Sequence, residues 1–363
     1  MRTITREQLE DIALGATVLG TGGGGDPYVG KLMAAAAIEA YGPVALISPE
    51  ELVDDALVIP VGMMGAPTVM VEKLPEGREA MAVVAALEAY LGDTALAVMA
   101  TEAGGINSTI AFVVAAARGL PLVDADLVGR AFPELQMCTP SLYGTAATPL
   151  ALADDKANSS VVTAISNLWA EKLARSLTVQ MGCWAMVALY PMRGWQVKAQ
   201  CISGTISTLE KIGKTILGSR DGRGDPVEAV RIVTGGFLMW QGKIVDVSRR
   251  TMAGFVRGEV AITGVDEWSG RTLTIGFQNE FLIARSGDDV LVSTPDLITI
   301  LDAETGEPIT TETLRYGFRV VVLAIPGDPR WRSEAGLQVV GPAYFGYDIP
   351  FIPVEERLLA AHA

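Results

Sequence analysis

Three stretches of this chain carry residue types at spacings that chemistry needs. Glu102-Ala103-Gly104-Gly105-Ile106-Asn107 sets a carboxylate and an amide on either side of a glycine pair. Asp124-Ala125-Asp126-Leu127-Val128-Gly129-Arg130-Ala131-Phe132-Pro133-Glu134 adds three acids and an arginine. Asp124 and Asp126 stand two apart, so on an extended segment they point to one side and can share a divalent metal ion or hold a proton between them. Arg130 either grips a carboxylate substrate through a two-pronged contact or pairs with Asp126 or Glu134 and pins a loop. The third stretch is Gly20-Thr21-Gly22-Gly23-Gly24-Gly25-Asp26-Pro27, a backbone almost bare of Cβ atoms. Asp26 suits a helix cap and Pro27 a first helical residue. The amides of Gly22, Gly23, Gly24 and Gly25, with the first N–H groups of that helix, form a concave donor site for a phosphate, a carboxylate or a ring carbonyl. The alternative is a tight interhelical turn that holds no ligand.

The remaining chemistry is set by what is scarce. The single histidine, His362, is the penultimate residue of a chain end expected to fray, which argues against a Ser-His-Asp triad, a Cys-His dyad or a His-rich zinc site. A base must therefore be a carboxylate or a metal-bound hydroxide, with Glu102, Asp124, Asp126 and Glu134 as candidates and Asp124 and Asp126 as candidate metal ligands. Cysteines 138, 183 and 201 form no CxxC pair, so neither a disulfide framework nor a structural zinc is indicated. Cys138, four residues past Glu134, is either a nucleophile or soft ligand, or a buried structural thiol.

These residues need elements to hold them. Thr5 and Gln8 form a capping box, and Leu9, Ile12, Ala13, Ala16 and Leu19 recur at helical spacing, so a helix precedes the glycine run. Gly20, Gly22 and Gly25 match Gly-x-Gly-x-x-Gly, but a dinucleotide site needs strand, turn, helix, so no NAD is expected. Short apolar strands are expected at Val44 to Ile47, Ala56 to Val61, Thr94 to Met99 and Leu120 to Val123. Helices are expected at Asp26 to Tyr41, at Gly77 to Leu91, and from a cap at Asn107 to Arg118. That alternation predicts an α/β amino-terminal domain with a mainly parallel sheet, spanning 1–168. Both acidic stretches then project from the carboxyl ends of strands, where open α/β sheets bind ligands.

The polar run 153–160 interrupts the pattern, and helices are expected at Val161 to Arg175 and Ser207 to Leu217. Beyond Gly235 the pattern becomes β: Phe237 to Trp240, Lys243 to Val247, Gly258 to Ile262, Thr272 to Phe277, Phe281 to Ala284, Val290 to Ser293, Leu297 to Asp302 and Arg319 to Ile325. Residues 169–363 are thus expected to form a helical prelude and a β-rich domain, a sandwich or partial barrel.

Composition sets outer bounds. With 363 residues, half of them hydrophobic, the chain is long enough for two cores. A net charge of −14 argues against nucleic acid and anionic membrane surfaces. No apolar run reaches the roughly 18 to 20 residues of a membrane span. Met1 to Glu10 is charged where a signal peptide is apolar, so a cytoplasmic protein is expected. The apolar run Val339 to Pro353 either covers the first domain or meets a second copy in a homo-oligomer.

The strings Gly20 to Tyr28, Glu102-x-Gly104-Gly105-x-Asn107 and Asp124-x-Asp126-x-x-Gly129-Arg130-Ala131-Phe132-Pro133-Glu134 resemble the S-methyl-thiohydantoin desulfurase family, as do Gly242 to Val247 and Gln278-Asn279-Glu280 in the second half. The resemblance implies an α/β amino-terminal part, a β-rich carboxy-terminal part and, in some members, hydrolytic removal of sulfur from a thiohydantoin. It also implies a hydantoinase/oxoprolinase-type neighbour. Two functions follow as expectations: a hydrolase of a thiohydantoin-like or hydantoin-like ring, with or without a metal, or a non-catalytic subunit that holds such a small molecule for a hydantoinase/oxoprolinase-type partner.

Overall fold

The structure, a computed structural model, describes residues 1–363 apart from 26, 67, 68, 70–72, 74, 221, 223, 253, 362 and 363 and the side chains of 358–361. The expected cap at Asp26 and the terminal His362 lie outside the described residues. Thr5 and Gln8 form their capping box, with the Thr5 amide donating to Gln8 Oε1 at 2.8 Å, and the helix Leu9–Leu19 leads into the glycine loop. The next helix, Pro27–Tyr41, starts at the proline.

Across the first sheet the order is Arg2–Ile4, Val44–Ile47, Leu122–Val123, Ala97–Ala100, Leu57–Gly65, Trp184–Ala188, Leu150–Ala153 and Ser159–Val162. The second to fifth of these are parallel, and strands on either side extend them antiparallel. Leu57–Gly65 is buried along its whole length and apolar on both faces, as a central strand flanked by two cores must be. The helices Arg78–Leu91 and Ile110–Arg118 pack Val83, Leu87 and Phe112 with Ile59, Val61 and Val98, facing one side of that strand. Val58, Met64 and Met99 face a second core with Val187 and Trp331.

Two expected helix starts are displaced. Val161 belongs to a strand, because Asp154 turns the chain by accepting from the amides of Lys156 (3.0 Å) and Asn158 (2.9 Å), and Ser159–Val162 then pairs back on Leu150–Ala153. The helix begins instead at Asn167, where Ser166 accepts from the Trp169 amide. Asn107 caps no helix: it sits within a 3-10 turn, Gly105–Ser108, and the helix starts at Ile110. Its side chain is used elsewhere, accepting from the Met63 amide at 2.6 Å.

The second sheet has seven antiparallel strands in the order Asp289–Ser293, Glu280–Ser286, Thr272–Gln278, Phe255–Gly264, Phe237–Met252, Arg319–Ile325 and Leu297–Asp302, curled into a half-barrel. The two strands expected between Phe237 and Val247 are one long strand, Phe237–Met252, whose register shifts at Leu238/Trp240 and Ile244/Asp246 let it bend across the sheet. The run Val339 to Pro353 covers the first domain: Val340 joins the core with Phe132 and Trp331, and Tyr344 Oη donates to Glu134 Oε2 at 2.7 Å.

The glycine loop is where the two sheets meet. From the second half, the Phe281 amide donates to Thr21 O (2.7 Å) and the Thr311 amide, in the loop before Arg319–Ile325, to Gly22 O (2.9 Å); from the first, the Ile106 amide, in the turn after Ala97–Ala100, donates to Gly24 O (2.9 Å). Gly24 has φ +85°, and a Cβ there would lie 2.4 Å from the Gly104 carbonyl carbon. Gly24→Ala therefore combines left-handed strain with a backbone collision, and it should cost about 3 kcal/mol or more. Gly144→Ala, at φ +79° with nothing within 4 Å, carries the strain alone and should cost about 1 kcal/mol. Equal denaturation midpoints for the two variants would show that the loop is not under this constraint.

Candidate functional site

The glycine loop, the turn after Ala97–Ala100 and the stretch 128–138 border one cleft. Gly24, Gly25, Glu102, Asn107 and Glu134 are on its wall, and it opens at the carboxyl ends of the parallel strands. Met63, Met64, Met137, Val187 and Leu189 line it as well. The cleft therefore combines polar groups with apolar side chains that suit an uncharged substituent.

Glu102 is one of the acids on the wall of the cleft. It is 8% exposed, its Oε1 accepts from Asn107 Nδ2 at 2.7 Å and its Oε2 from the Phe132 amide at 3.1 Å. Burial pushes its carboxyl up to about 7; the two hydrogen bonds pull it back, and the nearby Asp126 charge adds to the rise.

Asp126 is fully buried and does not line the cleft. Oδ2 accepts from the amides of Ala103 (2.8 Å), Val128 (3.1 Å) and Gly129 (2.7 Å), and Oδ1 from Thr205 Oγ1 (2.7 Å). Burial raises its carboxyl to about 6 against these bonds. Asp124 is half-buried and turns to Ser207, accepting from its amide at 3.1 Å and its hydroxyl at 2.5 Å. Each acid is thus engaged by its own donors at the start of the helix Thr205–Arg220. Among the described residues, no three His, Cys, Asp or Glu side chains are grouped to hold a metal ion.

Arg130, 1% exposed, spans the two halves of the chain. It donates to Thr21 Oγ1 (2.8 Å), Ala131 O (3.0 Å), Pro295 O (2.8 Å) and Asp296 O (3.0 Å), and it stacks on Phe132. Desolvation lowers it to about 10, and the neighbouring Glu280, Asp296 and Glu102 charges resist the fall. Arg130 pairs with neither Asp126 nor Glu134; its donations tie the glycine loop to residues 295 and 296. Glu134 accepts from Tyr344 Oη and from Gln136 Nε2 at 2.5 Å. Gly22, Gly23, Gly104 and Gly105 lie behind the wall: Gly23 against Glu280, and Gly105 against Gly25 O. Burial, with Glu102 and Asp126 close by, raises the Cys138 thiol well above its ordinary value, so it is a thiol rather than a reactive thiolate.

The cleft also contains Asn279 and Glu280, which come from the second sheet and were not among the expected site residues. Their sequence signals are a polar tripeptide, Gln278-Asn279-Glu280, between two apolar strands, and the family resemblance of that same tripeptide.

Two family models match the chain: one described as "S-Me-THD-like, N-terminal domain" over residues 7–164, and one described as "S-Me-THD-like, C-terminal domain" over residues 165–354. The chain is also similar to the crystal structure of a protein from Chromobacterium violaceum, at 25% identity and a TM-score of 0.82, over 98% of this chain and 100% of that one. No curated protein matches it. Among the described residues no helix is long and apolar enough to cross a membrane.

The raised Glu102 carboxyl links stability to pH. The folded state keeps this proton to about 7, whereas the unfolded chain releases it near 4.5. Its stabilising contribution is complete below the lower value and is lost as pH rises to the higher one. Glu102→Gln removes that loss, so the melting temperature of the variant relative to wild type should climb between pH 4.5 and 7 and level off above. Parallel melting curves across that window would contradict the assignment.

Proposed function

The chain belongs to the S-Me-THD-like family, and we propose that its cleft hydrolyses a thiohydantoin-type ring with Glu102 as general base. The observation that carries this reading is one carboxyl on the wall of the cleft, held by Asn107 and the Phe132 amide and raised to about 7. A base of that strength accepts a proton from water at neutral pH and releases it again. The activated water attacks the ring carbon that bears sulfur, a C–O bond forms, and the C–S bond breaks. The products are the oxygen-containing ring and a thiol or hydrogen sulfide. Met63, Met64, Met137 and Leu189 take the ring substituent, and the nearly bare backbone of Gly24 and Gly25 lets the ring lie close to the polar wall.

Asp126 acts here through Glu102. Its amide bonds hold the turn that carries Glu102, and its charge contributes to the raised carboxyl. Asp124 and Arg130 fix the surrounding frame rather than touch the ring.

One observation favours the runner-up, a non-catalytic subunit that holds the ring for a hydantoinase/oxoprolinase-type partner: both Glu102 oxygens already accept hydrogen bonds, as a fixed part of a wall would. Turnover separates the two readings. The purified protein is expected to release thiol from S-methyl-thiohydantoins, with a rate that rises through pH 7 as Glu102 ionises. Glu102→Gln should lower kcat about a hundredfold or more with the fold intact by circular dichroism. Tight ring binding without any thiol release would favour the runner-up.

A further inference from the structure

Glu280 is a buried carboxyl for which the fold supplies no partner on one oxygen. It is 2% exposed, lines the cleft, and its Oε2 is buried without a hydrogen bond. An orphaned polar atom at this depth is costly unless something in the cleft meets it. Its placement is built rather than incidental. Asn279, at φ +58°, reverses the chain in one residue so that Gln278 pairs with Glu280 across the turn. Asn279 is clamped by its amide to Val256 O (2.7 Å), by the Val256 amide to its Oδ1 (2.8 Å) and by Thr311 Oγ1 to its carbonyl (2.8 Å). Gly23 leaves room for the carboxyl: a Cβ there would lie 2.0 Å from Glu280 Oε1.

We infer that Glu280 is a catalytic proton donor, which delivers its proton from Oε2 to the sulfur that leaves the ring. The inference rests on the hydrolytic reading above. As the C–S bond breaks, its electron pair goes to sulfur, the Glu280 O–H bond breaks and an S–H bond forms. Glu280 is left as a carboxylate whose charge the nearby Arg130 guanidinium offsets. The proton that Glu102 took from water returns to Glu280, so each turnover consumes one water and leaves both groups as they began. Burial, with the Glu102 charge close by, raises the Glu280 carboxyl well above its ordinary value, which favours the protonated form a donor needs. One carboxyl acting as acid beside another acting as base divides the two roles. A step that needs a donor is lost as pH rises through the donor's own value, so Glu280 sets the falling limb of the rate profile.

The leaving group provides the test. A methylthio group needs a proton to depart, and a 4-nitrophenylthio group does not. Glu280→Gln is expected to lower kcat about a hundredfold on the S-methyl ring and less than tenfold on the S-(4-nitrophenyl) ring, and to lose the alkaline limb. Glu102→Gln should impair both substrates. Gly23→Ala, which pushes the Glu280 carboxyl aside without removing it, should reproduce the leaving-group pattern and covers the case in which Glu280→Gln fails to fold. Equal losses on the two substrates would overturn the role of Glu280 and leave Glu102 untouched; full activity of Glu102→Gln with a selective defect in Glu280→Gln would do the reverse. The infrared difference spectrum of wild type minus Glu280→Gln at pH 7 should contain a protonated-carboxyl C=O stretch, and its absence would overturn the inference whatever the activity.

Discussion

The approach of Gly24 to Gly104 is the contact on which the rest of the structure depends. Two backbones there run closer than any Cβ would permit, and the Gly24 carbonyl takes the Ile106 amide while its neighbours bond to the second sheet. The glycine run is thus held from both sides. Its lack of side chains serves the meeting of two sheets first, and the openness of the cleft follows from that, because a loop pressed this tightly leaves its far face as a wall.

The junction also explains the electrostatics. Glu102, Asp126, Arg130 and Glu280 are all buried around it. Each carboxyl is pushed toward its neutral form by loss of water, and hydrogen bonds decide how far. Asp126, with three amides and a hydroxyl, rises only to about 6. Glu102, with one amide and one side-chain amide, reaches about 7. Glu280, with one oxygen left without a donor, is also raised well above its ordinary value. Burial raises all three carboxyls, and the hydrogen bonds each accepts resist the rise. Arg130 is the compensating charge, tied to both halves of the chain so that it cannot withdraw to solvent.

Much of this was legible in the residues. Local signals act over a few positions, so the Thr5–Gln8 capping box, the Pro27 helix start, the Val44–Ile47 strand and the alternating apolar strands beyond Gly235 could be read directly. The convergence of the glycine loop with the turns at Glu102 and Glu134 followed from the rule that strand ends share an edge. Where a local signal competed with pairing at a distance it misled: Val161 reads as helix but is claimed by a strand partner at Leu150, and Asn107 reads as a cap but is claimed by the Met63 amide.

By itself the sequence determined most element types, the resemblance to one family and the presence of a single histidine, since these depend on residue identity and spacing alone. Which acid faces the cleft was decided only by the tertiary structure. Asp124 and Asp126 stand two apart in the chain, yet each is taken up by a helix start eighty residues on. Glu280, far along the chain, arrives beside Gly23 because a second sheet folds across the first. Proton affinity follows burial and donor count, and both are properties of what surrounds a residue in space rather than of its neighbours in sequence.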